Sequence, residues 1–114
     1  MAPTLRQSAK VILIGLMSGT SCDGIDAALV DISGEFPDLV VTLISAVNLP
    51  YPKPFQSALL QLGGGKSTST SEICMANSAL GGKLAQAALE VCKQSGFGIN
   101  DVDAICSHGH TIWH

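Results

Sequence analysis

The apolar and polar segments of the chain have lengths and periods that predict strands first and helices afterwards. Residues 11–17 are a continuous apolar run with β-branched members, which predicts a buried central strand. Residues 25–32 and 39–49 are the next two β-rich runs, and the turn-like residues 33–38 separate them. Because short connections favour pairing between neighbouring strands, we predict a three-stranded antiparallel meander.

The apolar period becomes helical after the third predicted strand. Residues 52–62 predict a short helix, which the glycines at residues 63–65 end. Ser69 and Glu72 have the spacing of a capping box, which predicts the start of a longer helix. This second helix is predicted to run to about Ser95.

The longer helix has an apolar stripe at helical spacing. Its members are Ile73, Leu80, Leu84, Ala88 and Val91. Asn77 lies on the same side, so we expect a buried amide that bonds to a neighbouring loop. Gly81 and Gly82 predict close packing of the helix on the sheet, and Gly96 is its predicted C-cap. Residues 103–107 then predict a fourth strand.

The composition fits one small domain or a part of a larger one. The chain has 114 residues, and 46% of them are hydrophobic, which is enough to build a core. The formal net charge is -3 and the six Lys and Arg residues are scattered, so no basic stripe marks a nucleic-acid surface. No apolar run approaches the roughly 20 residues that span a bilayer. We therefore expect neither nucleic acid nor a membrane as a partner.

The N-terminal residues and the cysteines indicate the cellular compartment of the protein. Residues 1–10 predict a flexible, polar start, in which Arg6 and Lys10 precede the first apolar run as in a signal peptide. That run is short and no A-x-A-like cleavage site follows it, which favours a buried strand. Neither a C-x-x-C pair nor zinc-like spacing occurs among the cysteines, which are Cys22, Cys74, Cys92 and Cys106. These features favour a cytoplasmic protein with reduced thiols.

The segment from Ser18 to Gly24 combines glycine and hydroxyl residues directly after the first predicted strand. Such residues let backbone N–H groups approach a phosphate closely, and the hydroxyls add donors. Asp23 would orient a hydrated Mg²⁺, which prefers oxygen ligands. An ordinary hairpin loop with a tight turn at Asp23-Gly24 fits the composition equally well.

The order of the residues is more specific than their composition. The run GLMSGTSCDGID, residues 15–26, resembles the signature of the anhydro-N-acetylmuramic acid kinases at all twelve positions, with Cys22 at a variable one. In that family the stretch is the first phosphate-binding loop, between two antiparallel strands. The resemblance implies ATP contacts from Gly19, Thr20, Ser21, Cys22, Asp23, Gly24, Ile25 and Asp26.

A second segment, residues 107–114, resembles the family's His-Gly-Gln-Thr-(Val/Ile)-(Trp/Arg)-His run. His110 stands where the family usually has Gln, and a neutral imidazole still offers one donor and one acceptor. His108 and His110 are our candidates for the substrate cleft. A metal site is the alternative, because these two histidines would share one face of an extended segment with His114 nearby. No Asp, Glu or Cys at ligand spacing supports a fourth ligand.

Gly65-Lys66-Ser67 resembles the end of a Walker A loop. That motif requires a Gly five residues before Gly65, where this chain has Leu60, and a strand in front of the loop. Since a helical pattern precedes it instead, we interpret the segment as a flexible connection.

The resemblance also implies a fold and a reaction. Residues 11–114 would be an incomplete N-terminal piece of an actin/hexokinase/Hsp70-like ATPase domain. The implied reaction is phosphorylation of 1,6-anhydro-N-acetylmuramic acid by ATP and Mg²⁺ with opening of the anhydro ring. Its product, N-acetylmuramic acid 6-phosphate, belongs to cell-wall amino-sugar recycling.

The catalytic aspartate of the family lies beyond the matched region, so we expect no catalytic residue and no kinase activity from these 114 residues alone. The full-length protein is a candidate homodimer. The alternative is a nucleotide-binding fragment or pseudo-kinase of the same fold without sugar turnover.

Overall fold

The computed structural model describes residues 10–113, which form a mixed four-stranded sheet with two helices. The strands are β1 (Val11–Ser18), β2 (Gly24–Ser33), β3 (Val40–Pro50) and β4 (Ala104–Ser107). The helices are α1 (Lys53–Gly63) and α2 (Thr70–Ser95), and a 3-10 turn (Ile99–Asp101) precedes β4. The flexible start predicted for residues 1–10 lies outside the described residues except for Lys10, and His114 lies outside them too.

The strands take the order β3-β2-β1-β4. β1 pairs antiparallel with β2, and β2 pairs antiparallel with β3, so the predicted meander is confirmed. β4 pairs parallel with β1. Asp103 sets the start of this pairing, because its N–H donates to the Ile12 carbonyl at 2.8 Å and its Oδ2 accepts from the Ile12 N–H at 2.8 Å.

One face of the sheet is buried because its side chains alternate along the two central strands. The inward residues are Ile12, Ile14, Leu16 and Ser18 of β1 and Ile25, Ala27 and Leu29 of β2. Leu59 of α1 and Val91 of α2 close over them from the helix layer. Each fully buried aliphatic side chain of this kind contributes about 1.5–3 kcal/mol relative to an exposed one.

The predicted ends of α2 are confirmed. The Oγ of Ser69 accepts a hydrogen bond from the Glu72 N–H at 3.1 Å, which satisfies an otherwise free donor of the first turn. Gly96 has a φ of 78°, and its N–H bonds to the carbonyls of Cys92 and Lys93. The segment around Lys66 is a connection that follows α1, as predicted, and not a loop between a strand and a helix.

The first half of α2 departs from the prediction. Asn77 is exposed, so the expected buried amide is wrong. A Cβ added to Gly81 or Gly82 would meet nothing within 4 Å, so close packing at these glycines is also wrong for the part of the chain described. The reason is that α2 reaches the sheet only from Leu80 onward, where its buried residues are Leu80, Ala87, Ala88, Val91 and Cys92.

The opposite face of the sheet is open in the described residues. Four small residues cross it in register, one from each strand: Ala46, Ala28, Gly15 and Cys106. They form the floor of a groove of about 790 Å³, with Met17, Asp26, Asn48 and His108 among its walls. Within residues 10–113, neither helix is long and apolar enough to cross a membrane.

Candidate phosphate-binding site

The β1–β2 loop, residues 19–23, makes its turn earlier than predicted. The Cys22 N–H donates to the Gly19 carbonyl at 3.0 Å, and Cys22 has a φ of 55°. The predicted tight turn at Asp23-Gly24 is therefore wrong, because Gly24 is already the first residue of β2. A left-handed residue other than Gly costs about 1–3 kcal/mol, so the contacts of Cys22 must hold it in this conformation.

Gly24 is required by the approach of β3. A Cβ at this position would lie 2.3 Å from the Leu49 carbonyl oxygen. The hydrogen bonding between the β2 and β3 segments continues one residue beyond Gly24, since the Tyr51 N–H donates to the Asp23 carbonyl at 2.9 Å. Gly24 therefore has a packing role that is independent of any ligand.

The tip of the β1–β2 loop presents free donors. Gly19, Thr20 and Ser21 are exposed, and their amides donate to no acceptor within the described part of the chain. Among the described residues, a Cβ on Gly19 would meet only the Ser21 Oγ, at 3.8 Å, so they leave the space beside this glycine open. Consecutive exposed N–H groups with adjacent hydroxyls are a suitable binding surface for a phosphate group.

The eight predicted nucleotide contacts divide by exposure. The exposed ones are Gly19, Thr20, Ser21, Asp23 and Asp26. The buried ones are Cys22, Gly24 and Ile25. Since the Cys22 and Ile25 side chains lie in the core, these residues can offer a ligand only their backbone atoms.

The two exposed carboxylates have neutral partners. The Asp23 Oδ1 accepts from the Gln56 Nε2 at 3.3 Å, and the Asp26 Oδ1 accepts from the Asn48 Nδ2 at 2.9 Å. Among the residues described, the one ion pair joins Lys10 to Asp31, so neither Asp23 nor Asp26 is neutralised by a cation. Exposed carboxylates with only neutral partners among the described residues are oxygen ligands of the kind that a hydrated Mg²⁺ prefers.

A hydrogen-bonded network of polar side chains packs against the buried side of the loop. Ser18 is 1% exposed, and its Oγ lies 2.7 Å from the Tyr51 hydroxyl and 2.9 Å from the His110 Nδ1. The His110 Nε2 lies 3.6 Å from the Cys22 Sγ, which in turn lies 3.5 Å from the Thr20 carbonyl. Every buried polar side-chain atom of the described residues has a partner, as a stable polar network requires.

Burial changes the acidity of two members of this network. It raises the pKa of the Cys22 thiol, and the nearby Asp23 carboxylate raises it further. Burial also raises the pKa of the Tyr51 hydroxyl, against the hydrogen bond to Ser18, which lowers it; the Cys22 thiol adds a smaller increase. Both groups therefore stay protonated and neutral at physiological pH.

Ser18 and Tyr51 were missed as site residues by the sequence prediction. One available signal was the period of β1, because Ser18 continues the inward series Ile12, Ile14 and Leu16. A hydroxyl at such a position must find a buried partner. The identity of that partner could not be read from the pattern, since His110 lies 92 residues further along the chain.

His108 and His110, the two candidates for the substrate cleft, lie in different parts of the structure. His108 is exposed and lines the groove on the open face of the sheet, while His110 contacts the β1–β2 loop. Gly109 separates them with a φ of 72°, so the segment is not extended and the shared face that a metal site needs is absent. Within residues 10–113, no cluster of three His, Cys, Asp or Glu side chains could hold a metal ion.

Comparison with known proteins matches the same region of the chain. A family model described as anhydro-N-acetylmuramic acid kinase matches residues 11–114. The proteins of that name from Caldanaerobacter subterraneus subsp. tengcongensis and Cyanothece sp. are 41% identical over 103 residues and 43% identical over 102 residues. Each match covers 90% of this chain and 26% of the relative. The chain thus spans about a quarter of the length of the curated relatives it matches.

Proposed function

Since the chain belongs to the anhydro-N-acetylmuramic acid kinase family, we propose that its β1–β2 loop binds the terminal phosphates of ATP. The observation that carries this proposal is the set of amides at Gly19, Thr20 and Ser21 that have no acceptor among residues 10–113. They lie beside two hydroxyls and open space, in a loop that a polar network supports from below. Phosphoryl transfer depends mainly on positioning and charge stabilisation, which such a loop provides.

Each loop residue has a separate role in this proposal. The amides of residues 19–21 and the hydroxyls of Thr20 and Ser21 would donate to phosphate oxygens. Asp23 would orient the waters of a Mg²⁺ ion, with Asp26 as a second carboxylate. Bound Mg²⁺ would supply neutralisation of the phosphate charge. Cys22, Gly24 and Ile25 would shape the loop from its buried side.

The reaction we propose for the full-length protein is a kinase reaction on an anhydro sugar. The γ-phosphoryl group of ATP passes to the 6-oxygen of 1,6-anhydro-N-acetylmuramic acid while water opens the anhydro ring. The products are N-acetylmuramic acid 6-phosphate and ADP, in cell-wall amino-sugar recycling in the cytoplasm. His108, which is exposed and lines the groove on the open face of the sheet, is our candidate for a residue that faces the substrate cleft.

The wider fold is part of the same proposal. We assign residues 11–114 to the N-terminal part of an actin/hexokinase/Hsp70-like ATPase domain. The support is the antiparallel meander followed by two helices and a strand that joins β1 in parallel.

A nucleotide-binding protein or pseudo-kinase without sugar turnover is the second candidate. It is favoured by His110, which stands where the family usually has Gln and which contacts Cys22 of the loop. The two candidates share ATP binding and differ in whether the sugar is phosphorylated.

Titration of the ¹⁵N-labelled chain with Mg·ATP tests the shared step. We expect the amide resonances of residues 19–21 to shift with Mg·ATP and to stay in place with adenosine, which lacks phosphate. Shifts confined to other residues would reject the loop as the phosphate site. Sugar-dependent ADP release by the full-length gene product then supports the kinase, and ATP binding without such release supports the second candidate.

A further inference from the structure

We propose that His110 is a positioning residue that bridges the two ends of the β1–β2 loop with the two nitrogens of its ring. The Nδ1 lies 2.9 Å from the Oγ of Ser18, the last residue of β1. The Nε2 lies 3.6 Å from the Sγ of Cys22, which closes the turn. One side chain thus contacts the loop where it leaves β1 and where it turns back.

The chemistry of the three groups fits such a bridge. A neutral imidazole has one donor and one acceptor, whereas a hydroxyl and a thiol can each donate or accept. Because the Cys22 thiol donates its one proton to the Thr20 carbonyl, the Nε2–H tautomer of His110 fits: Nε2–H donates to the Cys22 Sγ and Nδ1 accepts from the Ser18 hydroxyl. The Ser18 end is anchored in addition by the Tyr51 hydroxyl at 2.7 Å, so the ring is attached to a fixed point of the core.

The bridge acts on the residue that sets the shape of the loop. Cys22 is the one non-glycine residue with positive φ in the described chain, and such a conformation persists only when its surroundings hold it. Its thiol has two contacts, to the His110 ring and to the Thr20 carbonyl. We infer that loss of the His110 contact frees Cys22 and lets the amides of residues 19–21 lose their alignment. Phosphate binding then weakens, because a loop that is no longer preorganised loses more conformational entropy when it binds.

The same contact joins the loop to the segment that follows β4. His110 is two residues after His108, which lines the groove on the open face. A movement of the loop can therefore be transmitted to the groove through the His110 side chain. This part rests on the proposed function, because it concerns how a bound phosphate is held.

Hydrogen exchange of the nucleotide-free chain tests the bridge itself. In His110→Leu, which keeps most of the volume and loses both polar contacts, we expect the Cys22 amide to exchange roughly tenfold faster. In His110→Gln, whose amide also has a donor and an acceptor, we expect most of the protection to return. Gln94→Ala is the control, since it loses bonds to Ser45 and Ala46 of β3 and none to the loop, which it should leave unchanged.

Mg·ATP titration of the same variants tests the consequence for binding. We expect His110→Leu to weaken Mg·ATP binding by about tenfold and His110→Gln to restore it. The proposal is overturned if His110→Leu has wild-type exchange at Cys22, or if glutamine is no better than leucine, because filled volume would then explain the loss.

A second pair of variants covers the case in which His110→Leu does not fold. Ser18→Ala removes the bridge from its other end, while Tyr51→Phe removes only the neighbouring hydroxyl. Faster Cys22 exchange in Ser18→Ala than in Tyr51→Phe supports the bridge, and equal rates reject it. If the wild-type chain shows no Mg·ATP shifts but His110→Leu still frees Cys22, the positioning role stands and the proposed function fails.

Discussion

The carbonyl oxygen of Leu49 occupies the place that a side chain at Gly24 would need. A Cβ on Gly24 would lie 2.3 Å from this oxygen and 2.9 Å from the Cα of Pro50. Both obstacles are backbone atoms of β3, which pairs with β2 up to the Gly24–Pro50 pair. Because backbone cannot rotate away as a side chain can, the end of β3 would have to move.

Gly24→Ala should therefore destabilise the fold by about 1–3 kcal/mol, the usual cost of overpacking a well-packed site. Gly15→Ala is the matched control, because Gly15 is also a strand glycine and an added Cβ there meets no atom of residues 10–113 within 4 Å. The control should be neutral or stabilising by roughly 0.5–1 kcal/mol. Urea denaturation followed by circular dichroism measures both. Equal stability of the two variants would show that β3 can yield at this point.

Gly81→Ala should stabilise the chain. Gly81 lies inside α2 on its exposed side, and nothing would touch its Cβ within residues 10–113. Replacing an interior helix glycine by alanine gains about 1 kcal/mol of helix propensity. The gain should appear as a higher urea midpoint. A loss of stability instead would mean that another surface covers this position.

The four cysteines should separate into two reactivity classes. Cys74 and Cys106 are exposed, whereas Cys22 and Cys92 are buried. Burial raises the pKa of Cys22, with a further increase from Asp23, and raises that of Cys92, with a further increase from Asp101. At neutral pH a thiol-specific reagent should modify Cys74 and Cys106 quickly and the buried pair only after unfolding in urea. Rapid reaction of all four would contradict the burial of the Cys22 thiol.

The same thiols predict how stability depends on pH. Their folded pKa values are raised, so unfolding lets them ionise at the ordinary thiol value of about 8.5. Their contribution to stability is fully present below that pH and is lost as the pH rises toward the folded values. The urea midpoint should accordingly fall between pH 8 and pH 10, and should fall less in Cys92→Ala.

The strands and helices could be predicted from local sequence patterns, whereas the residues that contact the β1–β2 loop from its buried side could not. The caps at Ser69 and Gly96 depend on residues next to them, and these predictions were correct. Cys22, which has a left-handed φ, contacts His110, which lies 88 residues away and is outside any local pattern. Asn77 was assigned to the wrong environment because periodicity gives the face of a helix but not where the helix leaves the sheet.

The proposed role of Asp23 can be tested by removing its charge alone. Asp23→Asn keeps an acceptor for the Gln56 amide, so the loop should retain its shape. With Mg²⁺ present we expect ATP affinity to fall by about three- to tenfold, because the water-bound cation loses a carboxylate partner. Without Mg²⁺ we expect Asp23→Asn to raise the ATP affinity, because the variant lacks the negative charge that repels the phosphates. Asp38→Asn, an exposed carboxylate in the β2–β3 turn, is the control and should alter neither affinity. Calorimetric titrations with and without EDTA measure the pair of values; an equal loss under both conditions would mean that Asp23 shapes the loop and does not orient a cation.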